Sequence, residues 1–320
     1  MSQLRKDIQT GEWTILAKQR DGRPYLFNTE DSSKECPFCL YNKHMTPGEV
    51  FRLHDVRVVP NKFPAVCQVC DENLQDMLFY AACEGIGHHE VVIETSEHNL
   101  PFDELDIYQI QDILKVFKKR FVILSQEPDV EYVQIFKNHG RNAGASLPHS
   151  HSQVVALPFI PPRVEQEMKN ADTYYNTTGR CVYCDILKEE HEEKGRLLYH
   201  NEHVTVALSF APRFAYEAIL IPNAHQWDFG TVEDNVLAGL AEALIHTIHM
   251  MQAILGQFPY NLVLHTTPLG SENTHYHWHV ELIPRVSYHA GFEIATGTCI
   301  NTVCPEEAAQ GIKKAKKTNC

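Results

Sequence analysis

The sequence predicts an α+β protein made of two related halves, each a mainly antiparallel sheet with a long helix packed against it. Two observations predict this architecture. The same series of motifs occurs twice in the same order, from a Cys-x-x-Cys pair to a His-x-His motif. The histidine spacing is also nearly the same, with 51 positions from His98 to His149 and 52 from His225 to His277. We therefore expect an N-terminal half over residues 1–165 and a C-terminal half over residues 166–320.

The first copy begins at Cys36-Pro-Phe-Cys39 and continues to a strand-like run at residues 89–94, which reads HEVVIE. A second strand-like run covers residues 132–137, and a glycine-rich turn then leads to His149 and His151. Between the two runs, apolar residues recur at the three- and four-residue spacing of an amphipathic helix. These residues are Ile110, Leu114, Phe117, Phe121 and Leu124.

The second copy begins at Cys181-Val-Tyr-Cys184 and has strand-like runs at residues 217–221 and 261–265. It ends at His277-Trp-His279. The proline-rich residues 158–162 join the two copies. The helix between the two strand-like runs has an apolar face formed by Leu237, Leu240, Leu244, Ile248, Met251 and Leu255.

The composition is that of a globular protein in a reducing compartment. The 320 residues are 43% hydrophobic and 22% charged, and no apolar run approaches the roughly 20 residues of a membrane span. The N-terminus lacks the apolar core of a signal peptide, so we expect a cytoplasmic protein. The net charge of −13 argues against a nucleic-acid partner, although local cations can still hold a phosphorylated small molecule.

The paired cysteines predict two structural zinc sites. Reduced cysteine pairs are more often metal ligands than disulfides, and the chain has ten cysteines. Zinc prefers thiolate and imidazole ligands in a tetrahedral arrangement. The repeat assigns Cys36, Cys39, His98 and His149 to the first site and Cys181, Cys184, His225 and His277 to the second.

Alternatives remain open for these ligands. The cysteines could be ordinary thiols of a reduced protein. Cys67 and Cys70 form a third Cys-x-x-Cys pair without a counterpart in the second copy, and we interpret it as structural or incidental. Four other histidines could be metal ligands in place of His98 or His277, and only the spacing within the repeat argues against them. These rival histidines are His88, His89, His275 and His279.

His151 is the predicted nucleophile. A neutral imidazole attacks phosphorus readily, and the phosphoramidate that it forms can be passed on. Small residues lie before it, from Gly140 to Ser146, where backbone N–H groups and the Ser146 hydroxyl can approach an anion. Gln153 lies on the same strand face as His151 and can donate a hydrogen bond to a phosphate oxygen. His149 shares that face, so a metal bound there would hold the strand that presents His151.

The glutamine that follows His151 distinguishes between reactions. A sugar-phosphate leaving group is a stable anion that needs no general acid, so Gln153 favours transfer between phosphates over hydrolysis of a phosphoramidate. The alternative is that His151 is a core histidine or a zinc ligand. In the second copy Glu281 replaces the glutamine after His279, and we expect that half to have kept its metal and lost its chemistry.

Together these motifs resemble those of galactose-1-phosphate uridylyltransferases, the transferase branch of the histidine-triad superfamily. The resemblance runs nearly end to end and implies a tandem duplication of a histidine-triad-like fold. The segments that carry it include Cys36-Pro-Phe-Cys39, Val59-Pro-Asn61-Lys-Phe63-Pro, Gly144-Ala-Ser146, His149-x-His151-x-Gln153 and Ala290-Gly-Phe292-Glu293.

The resemblance implies a two-step exchange through a covalent nucleotidyl-histidine. Uridylyl passes from UDP-glucose to His151 with release of glucose 1-phosphate, and galactose 1-phosphate then accepts it. The resemblance also implies a homodimer in which the partner subunit can contribute to the site. Position by position, it assigns catalysis to His151, Gln153 and Ser146, nucleotide or phosphate contacts to Arg20, Arg23, Asn61, Asn138 and Gly144, and hexose contacts to Phe292 and Glu293.

Three departures leave the substrate open. Ser150 stands where the best-known members have proline, Lys62 stands where they have aspartate, and Cys181 and Cys184 replace a second metal site rich in histidine and glutamate. ADP-glucose phosphorylase of the same branch shares the His-Ser-His-Ser-Gln motif and a second Cys-x-x-Cys pair. The hypotheses are therefore uridylyl transfer, the adenylyl reaction of that branch, or a zinc-stabilised protein that binds nucleotides without chemistry.

Overall fold

The computed structural model describes residues 2–24, 26–27, 36–68, 82–270 and 274–318, so Cys70 lies outside the described residues. Within these ranges the α-helices are α1 (Ile107–Leu124), α2 (Pro162–Thr178), α3 (Val182–Glu193), α4 (Asp234–Leu255), α5 (Gly291–Thr296) and α6 (Pro305–Thr318). The strands are β1 (Ser2–Lys6), β2 (Trp13–Ala17), β3 (Phe51–Leu53), β4 (Val56–Pro60), β5 (Ala82–Glu84), β6 (His88–Ile93), β7 (Tyr132–His139), β8 (His151–Leu157), β9 (Leu197–His200), β10 (Val204–Leu208), β11 (Ala218–Pro222), β12 (Tyr260–His265) and β13 (His279–Pro284).

One ten-stranded sheet contains both copies of the repeat. Its strand order is β3-β4-β6-β8-β7-β12-β13-β11-β10-β9, and every neighbouring pair is antiparallel. From either edge to the centre the two halves have the same succession of strands, and β7 pairs with β12 at the centre. The expected α+β class with mainly antiparallel sheets is therefore confirmed. The division after residue 165 stays a prediction, and this position lies inside α2.

The main hydrophobic core lies between one face of this sheet and the helices α1 and α4. The apolar stripe predicted for α1 is buried at Ile110, Leu114, Phe121 and Leu124. Each such side chain contributes about 1.5–3 kcal/mol when it is removed from water. The Asp106 side chain caps the start of α1 by accepting a hydrogen bond from the Tyr108 backbone N–H. The repeat places α4 in the equivalent position, so one face of the sheet is covered by helices.

The strand-like runs of the sequence fold as strands whose bounds differ from those expected by no more than two residues. The residues after the proline-rich junction form α2 and α3. Pro162 begins α2, where a missing N–H costs nothing, and Gly179 ends it at φ 69°. Among the described helices, none combines the length and apolarity needed to cross a membrane.

Candidate active site and metal sites

A cavity of about 650 Å³ lies over the face of the sheet that is opposite α1, at strands β4, β6, β8 and β7. Alternate residues of these strands point into it because side chains along a strand alternate between the two faces. The cavity brings together most of the substrate and catalytic residues expected from the sequence. They are Arg20, Arg23, Asn61, Asn138, Gly144, Ser146, His151 and Gln153.

His151 is buried at the start of β8 and lines this cavity. Its Nδ1 lies 2.8 Å from the carbonyl oxygen of His149, so Nδ1 carries the proton and donates it. Nε2 therefore keeps its lone pair. Burial, aided by the charge of Lys137, lowers the pKa of His151 to about 4. The ring is neutral near pH 7, which is the state that a nucleophilic imidazole requires.

The mouth of the cavity is cationic. Arg20, Arg23 and Lys62 line it, and the described residues that line it include no aspartate or glutamate. Arg20 donates to the Phe63 carbonyl oxygen at 3.0 Å, which holds its guanidinium against the loop that carries Asn61. Burial and the neighbouring charge of Arg23 lower the pKa of Arg20 from its ordinary value. An acidic protein thus has a local site suited to an anion.

A buried ionic network supports β8 from the helix side. Lys137 Nζ lies 2.6 Å from Glu94 Oε2, 3.0 Å from Ser150 Oγ and 3.2 Å from the carbonyl oxygen of His151. Both Ser150 and Ser152 donate hydrogen bonds to the Glu94 carboxylate. Burial raises the pKa of Glu94, but the Lys137 charge and these hydrogen bonds outweigh it and lower that pKa. The sequence interpretation missed this pair, whose members are 43 positions apart.

The first set of expected metal ligands comes together beside β8. The ligand atoms of Cys36, Cys39, His98 and His149 all lie within 4.8 Å of one another. Sulfur-to-Nδ1 distances are 3.3, 3.6 and 3.7 Å. Zinc–sulfur and zinc–nitrogen bonds of about 2.3 and 2.0 Å in a tetrahedron place such atoms about 3.5 Å apart. His149 Nε2 donates to the Thr95 carbonyl oxygen at 2.8 Å, which leaves Nδ1 free to bind a cation.

The second set comes together in the same way at the start of α3. Cys181, Cys184, His225 and His277 also have all their ligand atoms within 4.8 Å. Cys184 Sγ lies 3.4 Å from His225 Nδ1 and 3.8 Å from His277 Nδ1. His225 Nε2 donates to the Thr274 carbonyl oxygen at 2.8 Å, as His149 does in the first set. The donor types and spacing of both sets fit zinc.

The rival histidines lie outside these two sets. His88 Nδ1 bonds to the Gln68 amide at 2.8 Å, while His89 lines the cavity. The ring of His275 stacks on Tyr175. Cys67 Sγ lies 3.6 Å from Ser2 Oγ, a contact between the segment that follows β4 and strand β1.

In the second half, ion pairs surround the histidine position that corresponds to His151. His279 donates from Nδ1 to the His277 carbonyl oxygen at 3.1 Å, as His151 does to His149. His265 stacks on its ring and lies between two carboxylates, 3.0 Å from Glu167 and 3.1 Å from Glu281. Burial lowers the pKa of His265, but the two carboxylates outweigh it and raise the pKa to about 9. The imidazolium has no lone pair for a metal, although Glu167, His265 and His279 lie close together.

Phe292 and Glu293 do not line the cavity of their own chain. They belong to α5, where Phe292 is 51% exposed. The Glu293 carboxylate accepts hydrogen bonds from the backbone N–H groups of Ala290 and Ile300, at 2.9 and 3.3 Å. The resemblance implies that Phe292 and Glu293 contact the hexose, but it does not specify whether they do so in their own subunit or in the partner subunit. The sequence therefore could not place them relative to the cavity.

Comparison with known proteins identifies the family. Residues 1–161 match the family model described as galactose-1-phosphate uridyl transferase, N-terminal domain. Residues 114–318 match a model described as a domain of unknown function (DUF4921). The chain belongs to the galactose-1-phosphate uridylyltransferase family. It is a nucleotidyltransferase, so the expected family and enzyme class are both confirmed.

Individual relatives cover nearly the whole chain. The ADP-glucose phosphorylase of Arabidopsis thaliana is 32% identical, with 99% of this chain and 93% of that protein aligned. A galactose-1-phosphate uridylyltransferase of Thermotoga maritima is 30% identical, with 99% of each aligned. A crystal structure of the Arabidopsis ADP-glucose phosphorylase with bound ADP-glucose is 33% identical at a TM-score of 0.79 and covers 98% of this chain and 99% of that one. The relatives named galactose-1-phosphate uridylyltransferase bear out the expected activity, and the ADP-glucose phosphorylase is consistent with its alternative.

Proposed function

We propose that this protein is a UDP-glucose–hexose-1-phosphate uridylyltransferase of galactose metabolism and that His151 carries the nucleotide. The observation that supports this most directly is the state of His151. Its Nδ1 proton is held by a backbone carbonyl, and its Nε2 lone pair belongs to a ring that lines a cationic cavity. A neutral imidazole in such a place is suited to attack on phosphorus.

The reaction has two balanced steps. In the first, Nε2 of His151 bonds to the α-phosphorus of the nucleotide sugar, and the bond from that phosphorus to the bridging oxygen breaks. The sugar 1-phosphate leaves with the electron pair. In the second, a phosphate oxygen of hexose 1-phosphate attacks the same phosphorus and the P–N bond breaks, which returns the lone pair to His151. No proton has to reach either leaving group, because the first is a sugar phosphate anion and the second is the His151 imidazole, which leaves as a neutral ring that keeps its Nδ1 proton.

Hydrogen-bond donors around the phosphorus stabilise the charge that develops on its oxygens. Gln153 and Ser146 line the cavity beside His151 and are assigned to the reacting phosphate. Asn61 and Asn138 are assigned to the nucleotide. Gly144, with φ 89°, allows the loop backbone to adopt a left-handed conformation there. Arg20 and Arg23 are assigned the role of neutralising the remaining negative charge of the phosphates.

The proposal includes two zinc ions per chain, one in each cysteine–histidine set. Four protein ligands close each site, so the metals have a structural role. The first ion would hold His149 and, through the backbone, the start of β8. Burial raises the pKa of the Cys36 thiol to about 12, and a bound cation would stabilise its thiolate.

The proposal also includes a homodimer in the cytoplasm, in which the partner subunit supplies the hexose contacts. Phe292 and Glu293 lie on an exposed helix away from the cavity of their own chain. A second copy could bring α5 to this cavity. Sedimentation velocity combined with the Phe292→Ala variant tests this: a dimer with a raised KM for the hexose 1-phosphate supports it, and a monomer of full activity contradicts it.

ADP-glucose phosphorylase activity is the second candidate, and a specific contact favours it. Ser150 donates to Glu94 at 2.5 Å and accepts from Lys137 at 3.0 Å. A proline, the residue of the best-known uridylyltransferases at this position, could make neither hydrogen bond. The serine belongs instead to the motif shared with ADP-glucose phosphorylase.

A donor comparison tests both candidates. The zinc-loaded protein is incubated with UDP-glucose or with ADP-glucose and examined by intact-mass spectrometry before and after acid treatment. An acid-labile UMP adduct with release of glucose 1-phosphate supports the uridylyltransferase, and an AMP adduct supports the phosphorylase. The absence of both adducts contradicts catalysis and supports a binding protein. The His151→Ala variant is the control, because it lacks the attacking nitrogen.

A further inference from the structure

Four side-chain carboxamides line the cavity, and the orientation of the three that are assigned to nucleotide or phosphate decides what a phosphate meets. A carboxamide offers two N–H donors at one end and an oxygen acceptor at the other. Only the N–H end attracts a phosphate oxygen. Asn61, Asn138 and Gln153 all line the cavity. The backbone fixes the orientation of the Asn61 carboxamide. The N–H of Phe63 donates to Asn61 Oδ1 at 2.8 Å, so Nδ2 is the end that can donate elsewhere.

His89 decides the orientation of Gln153. The two residues lie on neighbouring strands, where His89 pairs with Val155 and Gln153 pairs with Val91, so their side chains are diagonal neighbours on one face. The backbone N–H of Ala65 donates to His89 Nδ1 at 2.9 Å. His89 Nδ1 is therefore the acceptor, and the proton of the neutral ring is on Nε2.

His89 Nε2 lies 2.9 Å from Gln153 Oε1 and donates to it. The carbonyl end of Gln153 is thereby occupied, and its amino end is free for the cavity. The amide nitrogen of Asn61 also lies 3.1 Å from His89 Nε2, and with the proton on Nε2 this contact is not a hydrogen bond. Burial lowers the pKa of His89 to about 4, so the ring is neutral near pH 7.

Asn261, from the second half of the protein, decides the orientation of Asn138. The two asparagines are register partners where β7 pairs with β12. Asn261 Nδ2 donates to the carbonyl oxygen of Ala143 at 2.9 Å and to Asn138 Oδ1 at 2.8 Å. The guanidinium of Arg285 donates to Asn261 Oδ1 at 3.2 Å, so the Asn261 amide is itself oriented at both ends.

We propose that His89 and Asn261 are positioning residues for nucleotidyl transfer, which hold the Gln153 and Asn138 carboxamides with only their N–H donors toward the phosphates. This inference rests on the proposed function, since it concerns the same cavity. It also gives the second half of the protein a part in the reaction, although its own histidine position is filled by ion pairs. His89 and Asn261 act through Gln153 and Asn138, whose carboxamides meet the phosphates.

Loss of this orientation would lower both the rate of adduct formation and the affinity for the nucleotide. A carboxamide turned by half a rotation places its oxygen against a phosphate oxygen, which repels. Removal of one donor to a developing oxyanion lowers the rate by about 10²–10³-fold in a well-studied protease. We expect about 10²-fold slower adduct formation for His89→Phe, which keeps a ring of similar size but neither accepts from Ala65 nor donates to Gln153.

Two further variants separate orientation from packing. His89→Gln can accept from Ala65 through its oxygen and donate to Gln153 through its nitrogen, so it should recover most of the lost rate. His88→Phe makes the same substitution one residue away, on the opposite face of β6, and should form the adduct at the wild-type rate. A His89→Gln variant as slow as His89→Phe, at equal melting temperature, would overturn the role of His89.

A double-mutant cycle supplies the decisive measurement. The rate of adduct formation is measured in a single turnover for wild type, His89→Phe, Gln153→Ala and the double variant. If His89 acts through Gln153, His89→Phe lowers the rate by less than about threefold in the Gln153→Ala background. An equal loss in both backgrounds means a structural role and overturns the inference. Asn261→Asp, which cannot donate to Asn138, is tested in the same way with Asn138→Ala.

The cycles are repeated with calorimetric binding of UDP and of ADP, which requires no turnover. A wild type that binds either nucleotide but forms no adduct contradicts the proposed function, and the binding cycles then still decide the inference. Weaker diphosphate binding in His89→Phe and Asn261→Asp, without further weakening in the double variants, supports it. Unchanged binding in both, or a wild type that binds neither UDP nor ADP, overturns it.

Discussion

The imidazole of His151 donates a hydrogen bond from Nδ1 to the carbonyl oxygen of His149, 2.8 Å away. The side chain of His149 belongs to the first cysteine–histidine set, and its Nδ1 faces the sulfur atoms of Cys36 and Cys39. One residue thus contacts the other members of the cysteine–histidine set with its side chain and orients the proposed nucleophile with its backbone. The same pair of contacts recurs between His277 and His279 in the second half.

Replacement of His151 by alanine should abolish the nucleotidyl adduct and reduce turnover by more than about 10³-fold, because no other group attacks the phosphorus. UDP or ADP should still bind, since the cationic mouth is unchanged. Intact-mass spectrometry and calorimetry measure the two effects. His279→Ala removes the equivalent ring of the second half and should still form the adduct. An adduct on the His151→Ala protein would falsify the assignment.

The two proposed zinc sites should differ in their effect on activity. Wild type should contain two zinc ions per chain, and Cys36→Ser and Cys181→Ser should each contain one. Only Cys36→Ser should lose most of the adduct, since only the first set holds the strand that presents His151. Both variants should have lower melting temperatures, because metal binding contributes to folding. Metal analysis and adduct formation on the same preparations check this, and equal activity of the two variants contradicts it.

Lys137→Met should destabilise the protein by about 3–5 kcal/mol, because Glu94 would be left buried without its cation. The midpoint of urea unfolding measures this effect. Lys119→Met, an exposed change on α1, should alter the free energy of unfolding by less than about 0.5 kcal/mol. Adding Glu94→Gln to Lys137→Met should recover part of the loss. A Lys137→Met protein as stable as wild type would show that the pair contributes nothing.

The stability of the fold should decrease at alkaline pH through His265. Its pKa in the folded protein is about 9, above the ordinary value of 6.5, so the folded state binds the proton more tightly. The stabilisation is fully present below pH 6.5 and is lost as the pH rises through 9, and its size is on the order of 3 kcal/mol. Urea unfolding at pH values from 6.5 to 9.5 should show this slope in wild type. His265→Gln should reduce it, and an unchanged slope contradicts the assignment.

The sequence by itself determined the repeat, the two cysteine–histidine sets and the position of the proposed nucleophile. These features depend on residue type and local spacing. The alternation of side chains along a strand places His149, His151 and Gln153 on one face, whatever lies beside them. The helical spacing around Ile110 and Leu237 likewise determines which face of each long helix is buried.

The tertiary structure alone decided which groups support those residues. His89 reaches Gln153, Asn261 reaches Asn138, and Glu94 reaches Lys137 only because antiparallel pairing brings distant strands into register. No periodicity within one strand encodes its neighbour's register. The tertiary structure also decided that the two halves form one continuous sheet. β7 and β12 are the last strands of their own halves, and they pair only because the halves meet along these two edges.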